Sequence, residues 1–233
     1  MSPTRRRVLM AACLLAAAGF VRLGFWQLHR LDERRAANKG ILAARAAPVV
    51  TLSGMSIASA ESLVGRRVTA VGRYDHDHDI VLRGGAYQGV PGVYLATPLR
   101  LAGSDAVVLV ERGFVPAPDA VTADAGAFAE PGEVRVTGLV RSLESGGGNP
   151  LTREGRTTWT RLDLDRLRDS LPYPILPVSI RQIPDPSLPS FPRRLDPPPV
   201  DDGPHLNYAL QWFFFAIMAV AFAFLVIGRR PGS

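Results

Sequence analysis

Four histidines, His29, His76, His78 and His205, are the side chains with most to offer a metal ion or a proton. None sits in a catalytic frame: the chain has no GxSxG, no HExxH, no GxxxxGK and no GxGxxG in a βαβ setting. Its single cysteine, Cys13, permits neither an intramolecular disulfide nor a CxxC redox or zinc site. Asp75-His76-Asp77-His78-Asp79 is dense in imidazoles and carboxylates, as a metal site would be. As a strand it would split the histidines and aspartates between two faces. At a turn between strands ending near Tyr74 and starting at Ile80 it reads more simply as a solvated loop.

His205 is placed differently. It follows Pro204 and opens an aromatic-rich run containing Tyr208, Trp212, Phe213, Phe214 and Phe215. A neutral imidazole beside apolar aromatic surface can ligate haem iron axially. His29 follows an apolar run near the other end of the chain, so antiparallel pairing of the two runs would bring both histidines to one depth. Arg22 and Arg30 would then be near for propionates. The plainer alternative is that these histidines and arginines anchor helix ends at an interface.

The elements that must position these residues follow from the hydrophobic pattern. Of 233 residues 47% are apolar and 21% charged, which excludes a disordered or collagen-like chain. The run 206–227 lacks any charge and is long enough for a helix to cross a hydrocarbon core of roughly 30 Å. The first run, 8–21, is shorter, and Ala16, Ala17 and Ala18 would suit a cleaved signal peptide. Apolar character nevertheless continues past Arg22 to Leu28, so a retained span over 8–28 is expected.

The basic excess, 27 Lys and Arg against 21 Asp and Glu, is not gathered into a nucleic-acid surface. Its tight groups, Arg5 to Arg7 and Arg229 with Arg230, flank the apolar runs and read as topology signals. They predict cytoplasmic ends (1–7 and 228–233), spans at 8–28 and 206–227, and an extracytoplasmic domain over 29–205.

Within that domain, strand-like runs recur at 67–74, 80–83, 92–101, 106–111, 133–142 and 177–183, separated by turn signals. Val134, Val136, Gly138 and Val140 alternate with polar residues, whereas Val107 to Val110 is continuously apolar, typical of a buried strand. The expected fold is a mainly β domain, an antiparallel barrel or sandwich with one or two short helices, held between two transmembrane helices. The helices are expected at 119–128 and 163–171. The residues 45–67 read as a connector and 145–150 as a flexible loop. Eight prolines between 184 and 204 predict a stiff extended tether into the second span.

Several segments together resemble the surfeit-locus family of membrane proteins that assist cytochrome c oxidase biogenesis. Leu23-Gly24-Phe25-Trp26-Gln27-Leu28-His29-Arg30 resembles its LGxWQxxR motif. Gly72-Arg73-Tyr74 and the segment 92–99 are similar to its early strands, Val110 to Pro116 to its RGWxP segment, and Trp159 to Asp163 to its W-x-R-x-D stretch. Gly203-Pro204-His205-Leu206-Asn207-Tyr208-Ala209-Leu210-Gln211-Trp212-Phe213 is similar to its closing HLxYAxxWF motif. Phe114 stands where the family usually has tryptophan, and Arg34 where it often has lysine.

The resemblance implies a retained first helix and a non-enzymatic factor that delivers or holds haem A while the oxidase catalytic subunit receives it. It also implies His205 as the iron ligand. On that reading Tyr208, Trp212 and neighbouring rings pack on the macrocycle, Arg30 or Arg112 neutralises propionates, and His29 is a further candidate from helix geometry. The expected surroundings are the lipid bilayer of the cell's inner membrane, with haem A synthase as a second partner. Two other readings stay open: a haem-independent scaffold for oxidase assembly intermediates, and an envelope enzyme using His76 and His78.

Overall fold

The structure is a computed structural model that describes residues 2–52, 57–148, 150–153 and 156–228. It divides into two compact units, one made of the residues up to Leu42 and from Pro199 onward, the other of Ala43–Pro198.

The first unit pairs helix α1 (Pro3–Ala46) with helix α4 (His205–Gly228). Both are long and apolar enough to cross a membrane. Ala17, Gly24, Leu31 and Asn38 are buried at steps of seven residues along α1, and Ala209, Ala216 and Ala223 at the same step along α4. A seven-residue period keeps one stripe of each helix facing the other. Small residues on that stripe let the backbones approach closely, which is how helices associate where lipid supplies no hydrophobic drive. At Gly24 the approach is close: the Phe213 ring fills the space a Cβ would occupy, and Phe25 meets that ring edge-on at 5.4 Å. Phe25, Trp26, Leu210, Phe214, Ile217 and Phe224 point outward.

Helix α1 does not end at Leu28, where the span was expected to stop, but runs on to Ala46. Leu31 and Asn38 extend the buried stripe, and polar contacts hold the extension. Asn38 donates to the Asp201 carbonyl at 2.7 Å, and Arg35 pairs with Asp202 at 2.8 Å. The compact unit that holds the strands spans Ala43–Pro198.

Among its described residues the second unit contains nine strands: β1 (Val50–Leu52), β2 (Arg67–Tyr74), β3 (Ile80–Tyr87), β4 (Val90–Leu101), β5 (Val107–Pro116), β6 (Glu133–Ser142), β7 (Leu151–Arg153), β8 (Arg156–Trp159) and β9 (Ile175–Gln182). Two short helices, α2 (Ile57–Glu61) and α3 (Leu164–Ser170), complete it. The strands run β1-β2-β6-β9-β5-β4-β3-β8-β7, and β2 also pairs β4, so β2, β6, β9, β5 and β4 close into a barrel. Most pairings are antiparallel as expected, but β1–β2, β3–β8 and β5–β9 are parallel.

The continuous apolar run on β5 is explained by two-sided burial. Val108 and Val110 enter one core cluster with Val68, Val136 and Ile180, while Val107 and Leu109 enter another with Trp159 and Leu167. Successive side chains on a strand point to opposite faces, so both faces of β5 must be apolar.

Of the two expected helices, 163–171 forms as α3, whose Asp163 side chain caps the Arg166 N–H at 3.1 Å. The other, 119–128, yields only a 3-10 turn at Ala125–Phe128. The Asp119 carboxylate accepts from the Val121 and Thr122 N–H groups and folds that stretch into a local turn instead. The connector 45–67 holds β1 and α2. The loop expected to be flexible is tied down, because Asp163 also accepts from Gly147 and Gly148 at 2.6 and 3.1 Å. The proline-rich segment, expected to be stiff and extended, is also anchored to the strands. Arg193 exchanges backbone hydrogen bonds with Phe114, and the Arg194 side chain is buried.

Candidate functional site

Gly203 adopts a left-handed backbone, φ +69°, and donates its N–H to the Asp201 side chain at 2.9 Å. This tight turn leads into Pro204, whose missing N–H suits a helix start, and His205 becomes the first residue of α4. From α1, Gln27 meets the imidazole: His205 Nδ1 lies 2.9 Å from Gln27 Oε1. The amide oxygen can only accept, so Nδ1 is the donor, and in the neutral ring this tautomer leaves the lone pair on Nε2. Among the described residues Nε2 has no hydrogen-bond partner.

His205 lines a cavity of about 400 Å³ together with Arg30, Glu33, Arg34, Gly203 and Pro204. Arg30 pairs with Glu33 at 2.7 Å. Arg34 reaches the Asp201 carbonyl at 3.4 Å. An imidazole nitrogen with no protein partner among the described residues thus shares a cavity with two guanidiniums and one carboxylate. That set can ligate a borderline metal such as iron through nitrogen while pairing the guanidiniums with carboxylates. Gln27 and Arg34 were not singled out as site residues. Their signal was present, since Gln27 lies one helical turn from Leu31 on the buried stripe and Arg34 one turn beyond Arg30.

The other expected site residues fall elsewhere. His29 does not line the cavity; its side chain is 73% exposed and pairs with Glu33 at 3.3 Å. Trp212 stacks on Phe20 of α1, with centroids 5.7 Å apart and planes 23° apart, and meets Phe215 edge-on. Neither Trp212 nor the exposed Tyr208 lines the His205 cavity.

Arg112, the other expected propionate partner, lies inside the barrel unit. Register places Leu95 opposite Gly113 and Ala96 opposite Glu111, so Arg112 is the extra residue of a β-bulge, turned inward. Its side chain is 0% exposed; it pairs with Glu130 at 2.7 Å and also bonds the Phe128 carbonyl. Arg194, 3% exposed, binds the same carboxylate. Burial works against charge on Glu130, but the hydrogen bond from Arg112 and the field of Arg194 hold its carboxyl below the usual range. Both guanidiniums are spent on the core.

The His-Asp loop is not a solvated loop. His76–His78 forms a 3-10 turn whose two histidines are partly buried, while Asp77 is exposed. His76 Nδ1 bonds Asp79 at 3.1 Å, and its Nε2 accepts the Glu130 N–H at 3.0 Å. His78 bonds Asp75 at 3.0 Å, and Asp75 also receives Arg100 and the Tyr173 hydroxyl. These partners stitch the turn to β4, to Glu130 and to Tyr173 ahead of β9. Among the described residues no group of three or more His, Cys, Asp or Glu is arranged to hold a metal.

Comparison with known proteins gives one consistent answer. A family model described as the SURF1 family matches residues 14–217. A SURF1-like protein of Monosiga brevicollis is 29% identical over 226 residues, covering 91% of this chain and 84% of the relative. An uncharacterised SURF1-like protein of Mycobacterium bovis is 26% identical over 211 residues, covering 86% and 74%. A SURF1-like protein of Rickettsia felis shares 33% over 96 residues, 40% of each chain.

Proposed function

We propose, because this chain belongs to the SURF1 family of cytochrome oxidase assembly factors, that it holds haem A through His205 while the oxidase catalytic subunit receives it. One observation carries this reading: His205 has one ring nitrogen fixed by Gln27 and the other bare, in a cavity shared with Arg30 and Arg34. A histidine ligand whose second nitrogen is hydrogen-bonded is held in the correct tautomer and orientation. Haem A would be cargo, its iron taking His205 Nε2 and its propionates the two guanidiniums. His29, Tyr208 and Trp212 stand outside this set; Trp212 instead braces α4 against Phe20.

The topology that suits this role has both termini in the cytoplasm and the barrel outside, in the cell's inner membrane. Arg5, Arg6 and Arg7 before α1 and Arg229 and Arg230 after the second apolar run support it. Haem A synthase is the natural donor and the catalytic subunit the acceptor.

The test is purification of the full chain from cells making haem A. A Soret band should accompany the protein and be lost or strongly weakened in His205→Ala. An unchanged spectrum in that variant overturns the ligand assignment. Co-purification with oxidase subunits in both forms, with no Soret band in either, identifies the haem-independent scaffold instead.

A further inference from the structure

Two of the segments singled out in the sequence, Val110 to Pro116 and Trp159 to Asp163, have no part in the His205 cavity. They converge on a different one. Glu111 and Gly113 from the first and Thr160, Arg161 and Leu162 from the second line a cavity of about 670 Å³ on the barrel. Its volume lies within the roughly 300–1,000 Å³ typical of small-ligand sites.

Four guanidiniums line it: Arg83, Arg141, Arg161 and Arg181. Glu111 is the built part of the floor. It accepts from Arg141 at 3.0 Å, from Arg181 at 2.9 Å and from the Ser179 hydroxyl at 2.8 Å. One carboxylate therefore positions two guanidiniums while cancelling one charge, and each retains unused N–H donors. Arg83 is held by neutral groups, the Thr158 carbonyl at 3.0 Å and hydroxyl at 3.2 Å, and among the described residues it pairs with no carboxylate. Arg161 makes no hydrogen bond or ion pair with a described residue. Gly147 lies against its guanidinium in space that a Cβ would fill. The Asp163 carboxylate fixes that glycine, so the loop beneath Arg161 is itself anchored. Glu144 and Asp196, both exposed, bring the remaining negative charge.

We propose that this cavity binds a ligand carrying two or more oxyanion groups, carboxylate or phosphate, through Arg83 and Arg161 and the spare donors of Arg141 and Arg181. Guanidinium forks match such groups in a bidentate way, and pre-positioned ones lose little freedom on binding. The oxyanions come either from a free small molecule or from an acidic segment of a partner protein. This site is independent of the haem reading.

The test is calorimetric titration of the full chain in detergent micelles at constant ionic strength. Citrate and inorganic phosphate probe the free anion, and a hexaglutamate peptide probes the acidic segment. Saturable binding of citrate or phosphate identifies a small-molecule site; saturable binding of the peptide alone identifies a partner segment. Joint replacement Arg83→Gln and Arg161→Gln should weaken the effective probe at least about tenfold, the scale of a lost charge-assisted contact. Glu144→Gln, which removes a competing negative charge, should tighten it severalfold, a gain that misfolding cannot produce. The proposal fails if no probe binds saturably, if the double variant binds as the parent does, or if Glu144→Gln leaves affinity unchanged.

Discussion

Glu130→Gln tests how the barrel holds its internal charges. Among the described residues Glu130 is the one carboxylate shared by Arg112 and Arg194, whose side chains are 0% and 3% exposed against 14% for the carboxylate itself. Gln keeps the shape and one accepting oxygen but removes the charge, leaving two buried guanidiniums with nothing to neutralise them. Breaking a buried pair from one side costs about 3–5 kcal/mol, against a total stability of about 5–15 kcal/mol for an ordinary domain. About a fifth or more of the β-unit's stability should disappear. Trp159, buried in that unit, is a local reporter once Trp26→Phe and Trp212→Phe remove the other two tryptophans. Urea unfolding followed by its fluorescence should show the midpoint fall. The sign with pH is also determined. The folded carboxyl is held below its ordinary value of 4.5, so its contribution is complete above that pH and lost as pH falls through the lower folded value. Glu130→Gln should flatten this acid limb. A loss below about 1 kcal/mol, or an acid limb unchanged in the variant, would refute the reasoning.

In the helical unit, Gly24→Ala puts a methyl within 2.5 to 2.8 Å of the Phe213 ring, about 1 Å inside normal carbon contact. Overpacking of that kind costs about 1–3 kcal/mol, partly offset by alanine's better helix propensity. Thermal melting in micelles should show Gly24→Ala less stable than the parent, and Gly24→Ala with Phe213→Leu should lose less than the sum of the two changes; additive losses would sink the packing claim. Asp163→Ala removes both the α3 cap and the acceptor for Gly147 and Gly148. Amide exchange at those two glycines and at Arg166 should accelerate together, and protection retained at the glycines would contradict their anchoring. His76→Ala leaves the Glu130 N–H without its acceptor. Its unfolding midpoint should fall further than that of His78→Ala, and the reverse order would show that the turn is held through Asp75 instead.

The barrel was legible where one physical rule dominated. β2 and β6 fall on the expected 67–74 and 133–142 because alternation and flanking turn residues agree there. β1, β7 and β8 have three or four residues each, too few for a period to show, and exist because neighbouring strands supply their partners. The length of α1 was hidden by the charged stretch after Leu28, which resembles a polar segment leaving a membrane. The step of seven from Ala17 through Gly24 and Leu31 to Asn38 was the signal that the helix goes on. At the site, His205 stood out by residue type and position. Its Gln27 partner depends on the register of two helices whose contact is 178 residues apart in sequence. Arg112 misled because its motif shows an arginine but not the bulge that turns it inward, nor the carboxylate 18 residues on that receives it.

Ligation by His205 is tested most directly by titrating the purified, haem-free chain with haem A and recording the spectrum of the axial ligand. The parent should bind saturably with a histidine-ligated spectrum, and His205→Ala should lose it and regain it when free imidazole is added. A parent-like spectrum in His205→Ala without imidazole would contradict the assignment.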